Sequence, residues 1–287
     1  GDGHITQMRK YAPGTGTHRQ DPDDARVLVP VPANDEGRRG DWLMLGEEGL
    51  DDDGDGRINE DEVGGYDMNR AWPSRWEHEH VQGGAGPSPL YWPETRCIAR
   101  YLLGRQNVAA LQSFHNAGGM ILRGPGAEPF GEYERDDVRV FDEIGKTGEK
   151  MLPFYRYMVI WKDLYTVYGG FATWGYEGLG IISFTNELWN SEQLTGRPRD
   201  GQAAQMGGPG GFQRDRLALD DKLMLGAGYV DWKPFEHPLY GAIEIGGFRK
   251  DTGRVPPSFM IEEMIARNAL FAIEHARNMP LVRVEST

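Results

Sequence analysis

Residues 51–62 read DDDGDGRINEDE, the spacing of a loop that wraps a hard divalent cation. Asp51, Asp53 and Asp55 fall at positions 1, 3 and 5, Gly56 at the sharp turn of position 6, and Arg57 at position 7, where the backbone carbonyl is the ligand. Ile58 is the apolar residue at position 8, Asn59 fits position 9, and Glu62 stands at the bidentate position 12. Several oxygens converging on one ion require this pattern, and calcium is the ion it suits; a solvated acidic turn is the alternative. The flanks GEEGL and VGGYD do not read as helices, so an isolated calcium loop in an insertion is expected rather than a paired-helix hand. A second chemistry is suggested by Glu187, which ends the apolar run GLGIISFTNEL. An unpaired carboxylate is costly to bury, so an acid there needs a role. Glu244 in AIEIGG is its rival.

The elements that must position these residues alternate in type. Pro93-Glu94 opens a helical pattern to Arg105, with Ile98, Tyr101 and Leu102 at helix spacing. Residues 107–115, ending VAALQSFH, read as a buried strand, 118–122 as another, and 178–188 as a core strand. Residues 137–160 read as helical with a break near Pro153, and 240–245 as a strand ending in Gly246-Gly247. The last long helix, about 257–278, follows Pro256-Pro257, with Met260, Ile261, Met264, Ile265 and Phe271 in repeat. Residues 1 to about 65 read as loop-rich, and 190–235 as irregular apart from a short helix near 214–224. The alternation predicts an α/β fold with a mixed, mostly buried sheet flanked by helices, in one domain over 1–280 with a tail at 281–287.

Four segments occur in order: GYDMNR at 65–70 with SPLYWPET at 88–95, SFHN at 113–116, Tyr165 followed by GGFATWGY at 169–176, and FTNEL at 184–188. The ordered set resembles the M14 zinc carboxypeptidases, the carboxypeptidase A-like family. The resemblance implies that His115 ligates zinc and that Glu187 is the general base. It implies that Asn69 and Arg70 bind the α-carboxylate of a peptide C-terminus and that Tyr165 closes over the substrate. Arg9, in Met8-Arg9-Lys10, resembles the arginine that polarises the scissile carbonyl. Ala172, two residues before Trp174, argues against a charged specificity pocket. The implied activity is hydrolysis of C-terminal residues from peptides.

The chain departs from that pattern in one respect. The family's His-x-x-Glu motif supplies two zinc ligands, and none of His4, His18, His78, His80, His115, His237 or His275 has Glu three residues later. Trp76-Glu77-His78-Glu79-His80 has metal-binding composition but falls where the family has a surface loop, and reads as solvated. His115 alone does not make a catalytic zinc site. The start, Gly-Asp-Gly-His, lacks Met and a secretory pattern and resembles the second half of another cation loop, so a cut N-terminus is expected. The expectation is a carboxypeptidase domain, its N-terminal part missing, that is completed by an upstream segment or a companion chain. The alternative is an inactive carboxypeptidase-like binding or structural subunit with a calcium site.

A formal charge of -13, from 44 acidic and 31 basic side chains, repels phosphate backbones and disfavours nucleic-acid partners. No apolar stretch is long enough to span a bilayer. One cysteine, Cys97, excludes an internal disulfide and reads as a small buried residue. The calcium loop and the acidic surface point to an extracellular or periplasmic location.

Overall fold

A computed structural model describes residues 3–32, 39–51, 54, 56, 58, 66–190 and 211–280. They fall into two compact units, one from Gly1–Gly64 and Ser191–Ser258, the other from Gly65–Asn190 and Phe259–Thr287. The expected domain over 1–280 runs through both. Among the described residues, no helix is long and apolar enough to cross a membrane.

Numbered along the chain, the first unit holds β1 (Gln7–Gly16), β2 (His18–Gln20), β3 (Leu28–Pro30), β4 (Gly40–Glu47), α4 (Gly211–Leu219), β9 (Tyr229–His237) and β10 (Gly241–Phe248). Its strands form one antiparallel sheet in the order β3-β2-β4-β1-β10-β9. Val27, Val29, Leu217 and Phe248 make its core. This sheet corrects the expectation of loops before residue 65 and of irregular chain up to 235. These strands are half-exposed and rich in Gly and charge, so they lack the apolar run that marks a buried strand.

The second unit holds α1 (Pro93–Leu103), β5 (Ala110–Asn116), β6 (Met120–Arg123), α2 (Arg135–Met151), β7 (Arg156–Val159), the short α3 (Phe171–Thr173), β8 (Ile182–Leu188) and α5 (Ser258–Arg277). The sheet order is β5-β8-β6-β7. β5 runs parallel to β8 and β6 parallel to β7, while β6 and β8 are antiparallel, so the sheet is mixed as expected. On one face, Ile121 and Phe184 pack with Phe141 and Ile144 of α2 and Phe271 of α5. Leu122 of β6 turns the other way and packs with Met158, Ile160 and Val167. Two-sided burial also marks β8, where four successive residues, 183–186, are buried although their side chains alternate between the faces.

The helices follow their sequence signals. In α1, Pro93 occupies the first turn and Thr95, Ala99 and Leu102 form the buried stripe. Cys97 lies off that stripe and is exposed, which corrects its reading as a buried residue. In α2, Asp136 and Asp137 sit in the first turn and Lys150 in the last, matching the helix dipole. The chain leaves α2 at Leu152 and enters β7, where the sequence had suggested renewed helix.

Candidate functional site

The parallel pairing of β5 with β8 sets His115 directly opposite Glu187. His115 Nδ1 lies 3.9 Å from Glu187 Oε1, too long for a hydrogen bond and a charge attraction only when the imidazole is protonated. Glu187 is the first residue of β8 after a run of four buried ones, and its side chain is 18% exposed. Behind it, Asn186 is wholly buried. Its carbonyl accepts from Gln112 at 3.1 Å and its amide donates to Asn268 at 2.8 Å. Asn268 donates in turn to the Tyr155 hydroxyl at 3.2 Å, which accepts the Trp189 N–H at 3.0 Å. This network ties β5, β8 and α5 together beside the acid, and its only sequence signal was one Asn within an apolar strand.

Asn69 and Arg70 lie in a single turn of tight helix, Met68–Arg70. Asp67 caps it, its carboxylate accepting the Asn69 N–H at 2.8 Å. Arg70 donates to the Asn69 carbonyl at 3.0 Å and lies 3.6 Å from the Asp67 carboxylate. The turn is clamped from the segment 168–171. Phe171 N–H donates to the Asn69 side-chain oxygen at 2.8 Å, and Trp72 N–H donates to the Gly169 carbonyl at 3.0 Å. Leu90, in the SPLYWPET segment, donates its N–H to the Ala71 carbonyl at 2.7 Å. The importance of Asp67 and Gly169 was visible in sequence only as their presence in the quoted motifs.

The turn and the His115–Glu187 pair share one electrostatic environment. Partial burial lowers the His115 pKa, with the nearby Asp67 charge raising it and the Arg70 charge lowering it. The imidazole is therefore biased toward its neutral form, the form that can accept a hydrogen bond or ligate a metal. Tyr165 also belongs to this unit. It ends the turn Ile160–Leu164, its N–H donating to the Ile160 carbonyl at 3.1 Å, with a side chain 53% exposed.

Arg9 belongs to the first unit. Its Nε donates to Glu244 at 2.7 Å, and the guanidinium lies 3.8 Å from the Trp42 ring centre and 4.1 Å from that of Trp232. Glu244, the rival acid, thus has an ion-pair partner on the adjacent strand. Asp51 also lies in this unit, where its carboxylate accepts the N–H groups of Gly54 at 2.6 Å and Gly56 at 2.9 Å. The other expected calcium ligands, Asp53, Asp55, Arg57 and Glu62, lie outside the described residues.

A catalytic zinc takes three protein ligands and a water. Among the described residues, no three His, Cys, Asp or Glu side chains come together to hold a metal. His115 and Glu187 on their own therefore do not fit a complete zinc centre.

Comparison with curated proteins finds no match. Among solved structures, thrombin activatable fibrinolysis inhibitor aligns over 46% of this chain and 38% of its own, at 23% identity and a TM-score of 0.38. The bovine form of that protein, in complex with tick carboxypeptidase inhibitor, aligns over 46% of this chain and 49% of its own at 23% identity, again with a TM-score of 0.38. The carboxypeptidase A from Helicoverpa armigera aligns over 55% of this chain and 43% of its own, at 21% identity and a TM-score of 0.37. This chain thus spans less than half the length of each of these proteins. The zinc carboxypeptidase model of peptidase family M14 matches residues 45–205, more than half of the 287 residues. By that match, with its ordered motifs from GYDMNR to FTNEL, the chain belongs to the zinc carboxypeptidase family.

Proposed function

We propose that the second unit recognises the free C-terminus of a peptide and forms part of a metallocarboxypeptidase active site. The observation that carries this reading is the convergence of charge on His115, which has Glu187 opposite it and Asp67 and Arg70 within electrostatic range. Arg70 and Asn69 hold the terminal carboxylate, and Tyr165 covers the bound residue. Glu187 takes a proton from the attacking water as its oxygen bonds to the scissile carbonyl carbon. The same proton then passes to the amine nitrogen as the C–N bond breaks. His115 is the one zinc ligand this unit contributes, and the remaining ligands come from an N-terminal segment or companion chain. The test is calorimetric binding of a short peptide as free acid and as C-terminal amide. The wild-type chain prefers the acid, and Arg70→Ala abolishes that preference. Equal binding of acid and amide by the wild type would sink the proposal.

A second reading, peptide binding without hydrolysis, is favoured because, among the described residues, no third metal-binding side chain joins His115 and Glu187. Elemental analysis of natively purified protein separates the two. Stoichiometric zinc together with an additional polypeptide supports the hydrolase, and zinc-free protein that still prefers the free acid supports the binding module. Calcium at residues 51–62 and an extracellular or periplasmic setting complete the proposal, supported by the spacing of the acidic loop.

A further inference from the structure

Away from that site, His78 and His80 are both exposed on the loop WEHEH. Their Nδ1 atoms lie 2.9 Å apart and their ring centres 4.9 Å apart. The loop is well tied down. The His78 carbonyl accepts the N–H groups of Val81 at 2.8 Å and Gln82 at 2.9 Å, and Trp76 Nε1 donates to the Ala85 carbonyl at 3.4 Å. The Gln82 side chain accepts the Tyr168 N–H at 3.0 Å, and the Gly84 carbonyl accepts the Asp67 N–H at 2.8 Å. The Trp76 ring stands nearly edge-on to His78, with centres 6.1 Å apart. Two imidazoles at this Nδ1 separation share one hydrogen, so one ring carries its proton on Nδ1 and the other on Nε2. With both protons on Nε2, a modest rotation of each exposed ring turns two lone pairs onto one ion, so the site forms without desolvating a charge.

We propose that His78 and His80 form a two-imidazole chelate for a divalent transition metal of tetragonal preference, the cupric ion above all. With metal–nitrogen bonds of about 2.0–2.1 Å, nitrogens 2.9 Å apart subtend an angle of about 90° at the metal. That is the cis angle of a square-planar or tetragonal ion, the geometry of Cu(II) and Ni(II). A tetrahedral zinc needs the nitrogens opened to about 3.3 Å. Copper also outranks the other first-row divalent ions at nitrogen donors. The exposed Glu77 and Glu79 on the same loop add negative charge that attracts a dication. Water fills the remaining coordination positions, because no three metal-binding side chains converge among the described residues. The chelate is independent of the peptide-binding reading and uses none of its residues.

The test is a titration of the whole chain with cupric, nickel and zinc salts. It is followed by electron paramagnetic resonance for copper and by Trp76 fluorescence against a Trp76→Phe control. The wild type shows a cupric signal coupled to two imidazole nitrogens, quenching of the Trp76 component, and affinity in the order copper, nickel, zinc. His78→Ala and His80→Gln each remove one nitrogen from the spectrum. Each weakens copper binding at least as much as the loss of an outer-shell partner does, about tenfold or more. His18→Ala, on a strand of the other unit, leaves these signals unchanged. Copper affinity unaltered in both loop variants, a wild-type spectrum without the second nitrogen, or zinc bound more tightly than copper would overturn the assignment.

Discussion

Replacing Gly169 by alanine tests how the carboxylate-gripping turn is held. Gly169 has φ +61, and a Cβ built there stands 2.3 Å from the Arg70 carbonyl oxygen, 2.8 Å from its carbon and 3.3 Å from the Trp72 carbonyl oxygen. The left-handed backbone costs an alanine about 1–2 kcal/mol. The crowding is with backbone, which cannot rotate away, so the turn must move and strain the bond from Trp72 N–H to the Gly169 carbonyl. Losing that bond adds about 1 kcal/mol. The expected loss is about 2–3 kcal/mol, or a fall in Tm of about 4–12 °C at about 2–4 °C per kcal/mol for a domain of this size. Gly180 provides the control in the same unit, with φ +68 and nothing within 4 Å of a Cβ built there. Gly180→Ala carries the backbone cost alone, about 1–2 kcal/mol. Urea denaturation of both variants, alongside calorimetric binding of the free-acid peptide, gives the comparison. Gly169→Ala is the less stable of the two and binds the free acid more weakly, whereas Gly180→Ala binds normally. Equal stability of the two variants with peptide binding intact would refute the clamp.

Three further perturbations have defined outcomes. An NMR titration of His115 should show its pKa falling further in Asp67→Asn, which removes the raising charge but keeps the capping oxygen, and rising in Arg70→Ala; no movement in either variant would separate the turn from the imidazole. His275 is 1% exposed, and burial depresses its pKa from 6.5 to about 4. A histidine depressed in the folded state contributes stability that is complete above pH 6.5 and is lost as pH falls through about 4. The loss amounts to about 3 kcal/mol, and His275→Gln should flatten that part of the denaturation profile. Asn268→Ala strands the Asn186 amide in the core and should cost about 1–3 kcal/mol, with Asn268→Asp no better at neutral pH; wild-type stability in both would mean that water replaces the side chain.

The second unit was largely legible from sequence because its signals are local. Pro93 with Ile98, Tyr101 and Leu102 at helix spacing announces α1, although the face it buries is that of Thr95, Ala99 and Leu102, and the lack of charge before Glu187 announces β8 as a core strand. The first unit was legible only at β10 and the helical stretch near 214–224, since strands such as YVDWKPFEH expose most of their side chains and take their identity from long-range pairing with β10. At the site, the ordered motifs pointed to His115, Glu187, Asn69 and Arg70, but the strand pairing that sets His115 opposite Glu187 was hidden. That His115 faces Glu187 follows from the register of two strands about 70 residues apart, which no local pattern encodes. The clamp on Asn69 is likewise a backbone N–H from Phe171, and a main-chain donor leaves no mark on residue identity.

The parallel ladder between β5 and β8 has a mechanical consequence. Because imidazole and carboxylate hang from directly paired positions, their gap is bounded by interstrand spacing, about 4.8 Å, and only its remainder by rotamer choice. A slip of one residue would set Phe114 opposite the acid and send the histidine to the other face of the sheet. The two groups therefore behave as the jaws of one fixed-span caliper. Sequence drift in the loops can alter what enters the jaws, whereas changing their span requires rebuilding the strands and the buried amide network behind them.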